Sequence, residues 1–146
     1  MRNIVFTAVV VMLLIAVLPG CGKSEPTETT PTVTAPAFAQ SITEAMLKAL
    51  SAGDYQSYSL YFDQDMAARN SEELFGSFKD FYSKKIGTYV SLVLSDVKVE
   101  SDKTTVVYKA KYTMADEVTV TIVFTRSGGT VGVDDLILNS PELWQH

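Results

Sequence analysis

KKIGTYVSLVLSDVKVE, residues 84–100, is where one kind of order gives way to another. Before Gly87 the apolar side chains recur at helical spacing. Leu74, Phe75, Phe78, Phe81 and Tyr82 form one stripe. Ser71 precedes it as a cap, with Glu72 and Glu73 where a helix is positive and Lys84 and Lys85 where it is negative. After Gly87 the period drops to two. Tyr89, Ser91, Val93, Ser95, Val97 and Val99 alternate with Val90, Leu92, Leu94, Asp96, Lys98 and Glu100. Helices therefore come first and strands second, with glycine at the change because it ends a helix without strain.

Toward the C-terminus the strand pattern repeats. Ser101-Asp102 reads as a turn. Val106, Tyr108, Ala110, Tyr112 and Met114 share one face of a second strand, with Lys109 and Lys111 opposite. Ala115-Asp116 reads as the next turn. Val118, Val120, Ile122 and Phe124 then face inward, and Thr119, Thr121 and Thr125 outward. Ser127-Gly128-Gly129 suits a hairpin turn. In the last strand Val131 and Val133 have one parity and Leu136 and Leu138 the other, so a bulge is expected at Asp134-Asp135.

Toward the N-terminus, Phe38, Ile42, Ala45, Met46, Ala49 and Leu50 predict a helix that starts near Ser41 or Thr43 and stops at Gly53. Asp54 is placed to cap a short helix reaching Phe62, and Asp63-Gln64-Asp65 looks like another start. The order is summed as three helices and then four antiparallel strands. That is an α+β fold with helices on one face of a meander.

The remaining residues concern location. Ile4 to Leu18 are an uncharged, mostly apolar run of 15 residues after Arg2. A membrane-spanning helix needs about 20. A charged start, a short apolar stretch and small Gly20 make the pattern of a signal peptide over residues 1–20. Cys21, the only cysteine, follows at once. Leu18-Pro19-Gly20-Cys21 resembles the lipobox of bacterial lipoproteins, although Pro19 stands where Ala or Ser is usual. That resemblance implies a diacylglycerol on the Cys21 thiol and cleavage between Gly20 and Cys21. It places the protein as a lipid anchor on the extracytoplasmic side of the cell membrane; the other reading is an uncleaved anchor helix. Residues 21–36, from Cys21 through GKSEPTETTPTVTAP, read as a spacer. They have no apolar periodicity, and Pro26, Pro31 and Pro36 stiffen them. Residues 37–146 are the folded domain.

ALSAGDYQSYSLYFDQDM, residues 49–66, followed by a helix, KKIGTYVS and a run of strands resembles an uncharacterised family, domain of unknown function 3887. That family is similar to the nuclear transport factor 2-like (cystatin-like) superfamily. The matching positions are Gly53-Asp54-Tyr55, Phe62-Asp63, Met66 and Ile86-Gly87. The resemblance implies a curved four-stranded sheet wrapped around helices into a cone with a pocket at its open end. Isomerases, dehydratases, cyclases, binding modules and dimerising scaffolds share that shape, so it does not choose a function.

Composition narrows the chemistry. The chain carries 12 basic and 17 acidic residues; without residues 1–20 the balance is 11 to 17, a net charge of −6. An acidic body repels phosphate backbones, which argues against nucleic acid as a partner. With one cysteine there is no internal disulfide. His146, the only histidine, ends the sequence, so a Ser-His-Asp triad and a His-rich zinc site lack their central residue. No calcium-type loop and no phosphate loop are present, and neither a cofactor nor a metal is expected. Within the superfamily, isomerase-like members pair a carboxylate with a tyrosine. The corresponding speculative pocket is Asp63 with Tyr108 and Tyr112, or a bulge aspartate in place of Asp63. Phe75, Phe78, Phe81, Tyr82 and Phe124 read as core, with a small-molecule cavity as the alternative; Trp144 reads as a seal on the last strand.

The expected function is a non-catalytic module, anchored to the membrane through lipid on Cys21, that binds a small apolar ligand or a protein. A homodimer through the Thr- and Lys-rich outer sheet face is one such partnership. The rivals are an isomerase- or hydratase-like enzyme with a Tyr/Asp pocket, and a structural accessory of a cell-envelope complex.

Overall fold

The computed structural model of the chain describes residues 34–145. The expected signal peptide over residues 1–20 with its cleavage position at Gly20 and Cys21, the expected spacer up to residue 33, and His146 lie outside the described residues.

Helix α1 runs Ala37–Ala52. It starts earlier than the Ser41 or Thr43 of the sequence reading, because Pro36 occupies the N-cap with φ already near the helical value at −53°. Thr43 is instead interior and buried, and its hydroxyl donates to the Ala39 carbonyl at 2.7 Å. Gly53 closes the helix at φ 76°. The Asp54 side chain accepts from Ser57 N at 3.1 Å and caps α2 (Tyr55–Ser59). The Asp63 side chain accepts from Met66 N at 2.8 Å and caps α3 (Gln64–Arg69). Because each aspartate nucleates its own helix, the described residues hold four α-helices where three were expected. Ser71 caps α4 (Glu72–Lys85). Of the α4 stripe only Phe75 is fully buried; Leu74 and Phe81 reach the surface.

The four strands β1 (Tyr89–Glu100), β2 (Lys103–Tyr112), β3 (Ala115–Ser127) and β4 (Thr130–Asn139) form one antiparallel sheet in sequence order. The architecture is α+β. In β2 and β3 the inward residues are those the alternation assigned: Val106, Tyr108, Ala110 and Tyr112, then Val118, Val120, Ile122 and Phe124. Outward lysines are tied within the sheet, Lys109 to Glu117 at 2.7 Å and Lys111 to Asp116 at 2.9 Å. Two expectations change. The β2–β3 turn is Thr113-Met114, since Tyr112 pairs with Ala115; Met114 is exposed and off the strand face. Strand β1 also does not keep one phase. Val90 and Ser95 are extra residues in its ladder, so the inward set is Tyr89, then Leu92 and Leu94, then Val97. Each bulge flips the parity and bends the strand.

The bulge expected in β4 is present. Val133 pairs with Phe124 and Asp135 with Val123, which leaves Asp134 unpaired in the ladder. The β3–β4 turn places Gly128 and Gly129 at φ 56° and 87°, as a two-residue hairpin of the primed type needs. Before α3 the chain lies along β4: Val133 N donates to Tyr61 O at 2.7 Å and Asp63 N to Val133 O at 2.9 Å. After β4, Pro141–Trp144 form a 3-10 turn in which Leu143 is buried. Trp144 is 71% exposed and donates to Asn139 Oδ1. Leu143 is therefore the seal and Trp144 is not, because neighbouring residues of a tight turn cannot both face the core. No helix among the described residues is long and apolar enough to cross a membrane.

Candidate functional site

Two adjacent aspartates in a strand normally face opposite sides. At the β4 bulge this separation becomes chemical. Asp134 is held by two cations: Arg69 Nη2 donates to its Oδ1 at 3.1 Å and to its carbonyl at 2.6 Å, and Lys103 Nζ donates to its Oδ2 at 2.8 Å. That clamp ties α3 and β2 to the bulge. Among the described residues Asp135 accepts only the backbone N–H of Leu136, at 2.9 Å, and pairs with no lysine or arginine.

Asp135 borders a partly enclosed cavity of about 120 Å³ between the helices and the sheet. Its apolar wall comes from Leu50 of α1, Met66 of α3, Phe78 of α4, and Leu136 and Leu138 of β4. Tyr58, Tyr82 and Asn70 supply the other polar lining. The Asn70 side-chain amide donates to the Met66 carbonyl at 3.0 Å, so one of its two N–H groups is already engaged. Among the described residues the hydroxyls of Tyr58 and Tyr82 have no hydrogen-bond partner. Burial pushes the Tyr58 phenol strongly up, and the neighbouring Tyr82 and Asp135 add to the shift. Burial raises Tyr82 as well.

Tyr112 belongs to the same neighbourhood. Burial pushes its phenol strongly up, reinforced by Tyr89, Tyr82 and Tyr58 in that order. Its ring packs edge-on against Tyr89, at 5.9 Å between centroids. Tyr89 is pushed up to about 12, by burial first and then by Glu44. The Tyr108 phenol is also raised by burial, with the Thr43 hydroxyl beside it working the other way. Thr43 commits its proton to Ala39, and its contact with Tyr108 is not a formed hydrogen bond; both the Tyr108 and Tyr112 hydroxyls are buried without a partner. A buried polar group left unpaired costs about 1–3 kcal/mol. Tyr112→Phe and Tyr108→Phe should each therefore raise stability by about 1 kcal/mol. Urea denaturation checks this, and a loss of stability would mean that the hydroxyl has a partner.

The sequence-derived pocket is not assembled as first drawn. Tyr108 and Tyr112 stand on the inner face of β2. Asp63 spends its carboxylate elsewhere, on Met66 N and on the Thr125 hydroxyl at 2.8 Å. It does so because its segment runs beside β4, directly over Gly132. The bulge aspartate that takes its place is Asp135, and its tyrosines are Tyr58 and Tyr82, with Tyr112 behind them. Phe78 and Tyr82 of the aromatic stripe line the cavity, whereas Phe75 and Phe124 belong to the core. Tyr58 and Asn70 carried no signal in the sequence, since neither spacing nor composition says that α2, α3 and β4 converge.

A larger groove of about 680 Å³ follows the β2–β3 turn, past Val90, Met114 and Pro141. Its one lysine is already committed: Lys111 beside Asp116 holds that carboxyl below its usual range. It is open surface, although the buried Tyr112 also lies along it; the smaller cavity is the more enclosed of the two and is lined from both the helices and the sheet, so it is the better site. Among the described residues no three His, Cys, Asp or Glu side chains converge as metal ligands would. In comparison with known proteins, no family model matches the chain and no curated protein matches it.

Proposed function

We propose that this chain is a lipid-anchored, extracytoplasmic module that holds a small ligand between its helices and its sheet and catalyses no reaction. The observation that carries the binding reading is the cavity of about 120 Å³ with Asp135, Tyr58 and Tyr82 on its wall. An engineered cavity of roughly 150 Å³ is enough to take up benzene, so this one suits a molecule of a few heavy atoms. The polar groups on its wall would orient such a ligand, and the apolar ones would exclude water from it. The anchoring half rests on the lipobox-like Leu18-Pro19-Gly20-Cys21.

A second reading draws on the same neighbours. Asp135 beside Tyr58 is the pairing an isomerase-like enzyme would use, the carboxylate moving a proton and the phenol donating to the developing oxyanion. The binding reading is preferred because the space leaves little room for a substrate that changes shape.

Mass spectrometry of natively expressed full-length protein tests both halves. The expected products are a chain beginning at Cys21 and bearing lipid, and a small molecule that co-purifies under non-denaturing conditions. That molecule should be lost from a Leu136→Phe variant, whose larger ring fills the cavity. A chain that keeps residues 1–20 with a bare thiol would overturn the anchor. An empty protein whose stability improves on Leu136→Phe would overturn the ligand.

A further inference from the structure

The cavity wall is one-sided in its electrostatics. No lysine, arginine or histidine borders it. Asp135 is its one acidic side chain, half-buried and without an ion pair, although the next residue back is clamped by two cations. The Asn70 side-chain N–H₂ donates to Met66 O, and its Oδ1 accepts no hydrogen bond among the described residues. The Tyr58 and Tyr82 hydroxyls have no hydrogen-bond partner among the described residues, and each can turn its O–H away and present a lone pair to a cation. Three aromatic side chains, Tyr58, Phe78 and Tyr82, complete the wall, and aromatic faces are the negative part of a ring. Met66 and Leu138 supply apolar contact.

Resting on the binding reading above, we infer that the ligand class is a small organic cation, an alkylated ammonium whose charge sits against Asp135 and whose methyl groups meet Tyr58, Phe78 and Tyr82. A metal ion does not fit, because it needs several oxygen ligands at fixed short distances and gains nothing from an apolar wall. An anion would meet the Asp135 carboxylate at short range and be repelled. A neutral molecule of equal size would fill the volume but leave the carboxylate unpaired, which is the costly arrangement in a half-buried site. The alkylammonium uses every element of the wall: the carboxylate for charge, the rings for their quadrupoles and the aliphatic groups for its methyl surface.

The test compares three probes of one shape on the full-length chain: tetramethylammonium, tert-butanol and pivalate. Binding is followed by ligand-observed NMR at about 0.15 M salt, so that attraction to the acidic surface is screened. Tetramethylammonium should bind about tenfold tighter than tert-butanol, and pivalate should not bind. Asp135→Asn, which keeps an acceptor for Leu136 N, should weaken tetramethylammonium about tenfold and leave tert-butanol unchanged. Equal binding of tetramethylammonium and tert-butanol would overturn the cation class while leaving a ligand cavity in place. Cation binding that survives Asp135→Asn undiminished would overturn it too, by placing the cation elsewhere on the acidic surface. Failure of all three probes to bind would remove the binding reading itself.

Discussion

A Gly87→Ala chain should melt roughly 15 °C below the parent. Gly87 carries φ +84° at the junction of α4 and β1, a backbone state that an L side chain enters at a cost of about 1–2 kcal/mol. The space is closed as well. A Cβ there would sit 2.1 Å from Thr113 Oγ1, 3.1 Å from Met114 Cγ and 3.2 Å from Met114 N. The last of these is backbone, fixed by the hydrogen bond that Met114 N donates to Ile86 O at 2.9 Å. Thr113 cannot simply turn away, because Thr88 N donates to its hydroxyl at 3.0 Å and its own N–H donates to Thr88 O at 2.9 Å. Overpacking of this kind adds about 1–3 kcal/mol, for a total near 3 kcal/mol. Thermal unfolding followed by circular dichroism reads the result. A melting point within a few degrees of the parent would mean that the helix–sheet junction is not held as described.

Gly132→Ala should cost about 2 kcal/mol for a different reason. Here the backbone is ordinary and the obstacle is another segment of chain. A Cβ on Gly132 would lie 2.8 Å from the Cβ of Asp63 and 3.2 Å from its Cα. To make room, the segment around Asp63 must lift from β4. That movement strains three contacts together: the Asp63 cap on Met66 N, its acceptance from Thr125, and the bridge of Phe62 to Val133. Denaturant titration of Gly132→Ala, Asp63→Ala and the double variant separates the terms. Asp63→Ala alone should cost about 1–2 kcal/mol through the lost cap. The double variant should cost clearly less than the sum, because lifting a segment that has already lost its polar contacts is cheaper. Strict additivity, or a neutral Gly132→Ala, would contradict the close approach.

The two glycines differ in how far a reader of the chain alone could foresee them. Gly87 stands where a helical period meets a strand period, so its role at the switch is local and visible. Gly132 sits inside an alternating run, and nothing nearby announces that Asp63 passes over it. The same contrast runs through the sheet. In β2 and β3 only one parity is apolar, so the inward faces could be read directly. In β1 both parities carry apolar side chains, and pairing with β2 had to decide between them. It did so by inserting Val90 and Ser95 as bulges and leaving Val93 and Val99 exposed. In β4 the shift from Val133 to Leu136 marked the bulge in advance, but it did not say which aspartate would meet cations and which the cavity.

Taken by itself, the amino-acid sequence determined the order of helices and strands, the capping aspartates at 54 and 63, the hairpin glycines and the β4 bulge. These depend on backbone preferences and periodicities that act over a few residues. Only the tertiary structure decided that Asp63 also accepts from Thr125, that Asp134 is clamped by Arg69 and Lys103, and that Asp135 borders a cavity with Tyr58 and Tyr82. That choice turns on which distant segments share a wall, and α2, α3, α4 and β4 come together only once burial of the common core has brought them there.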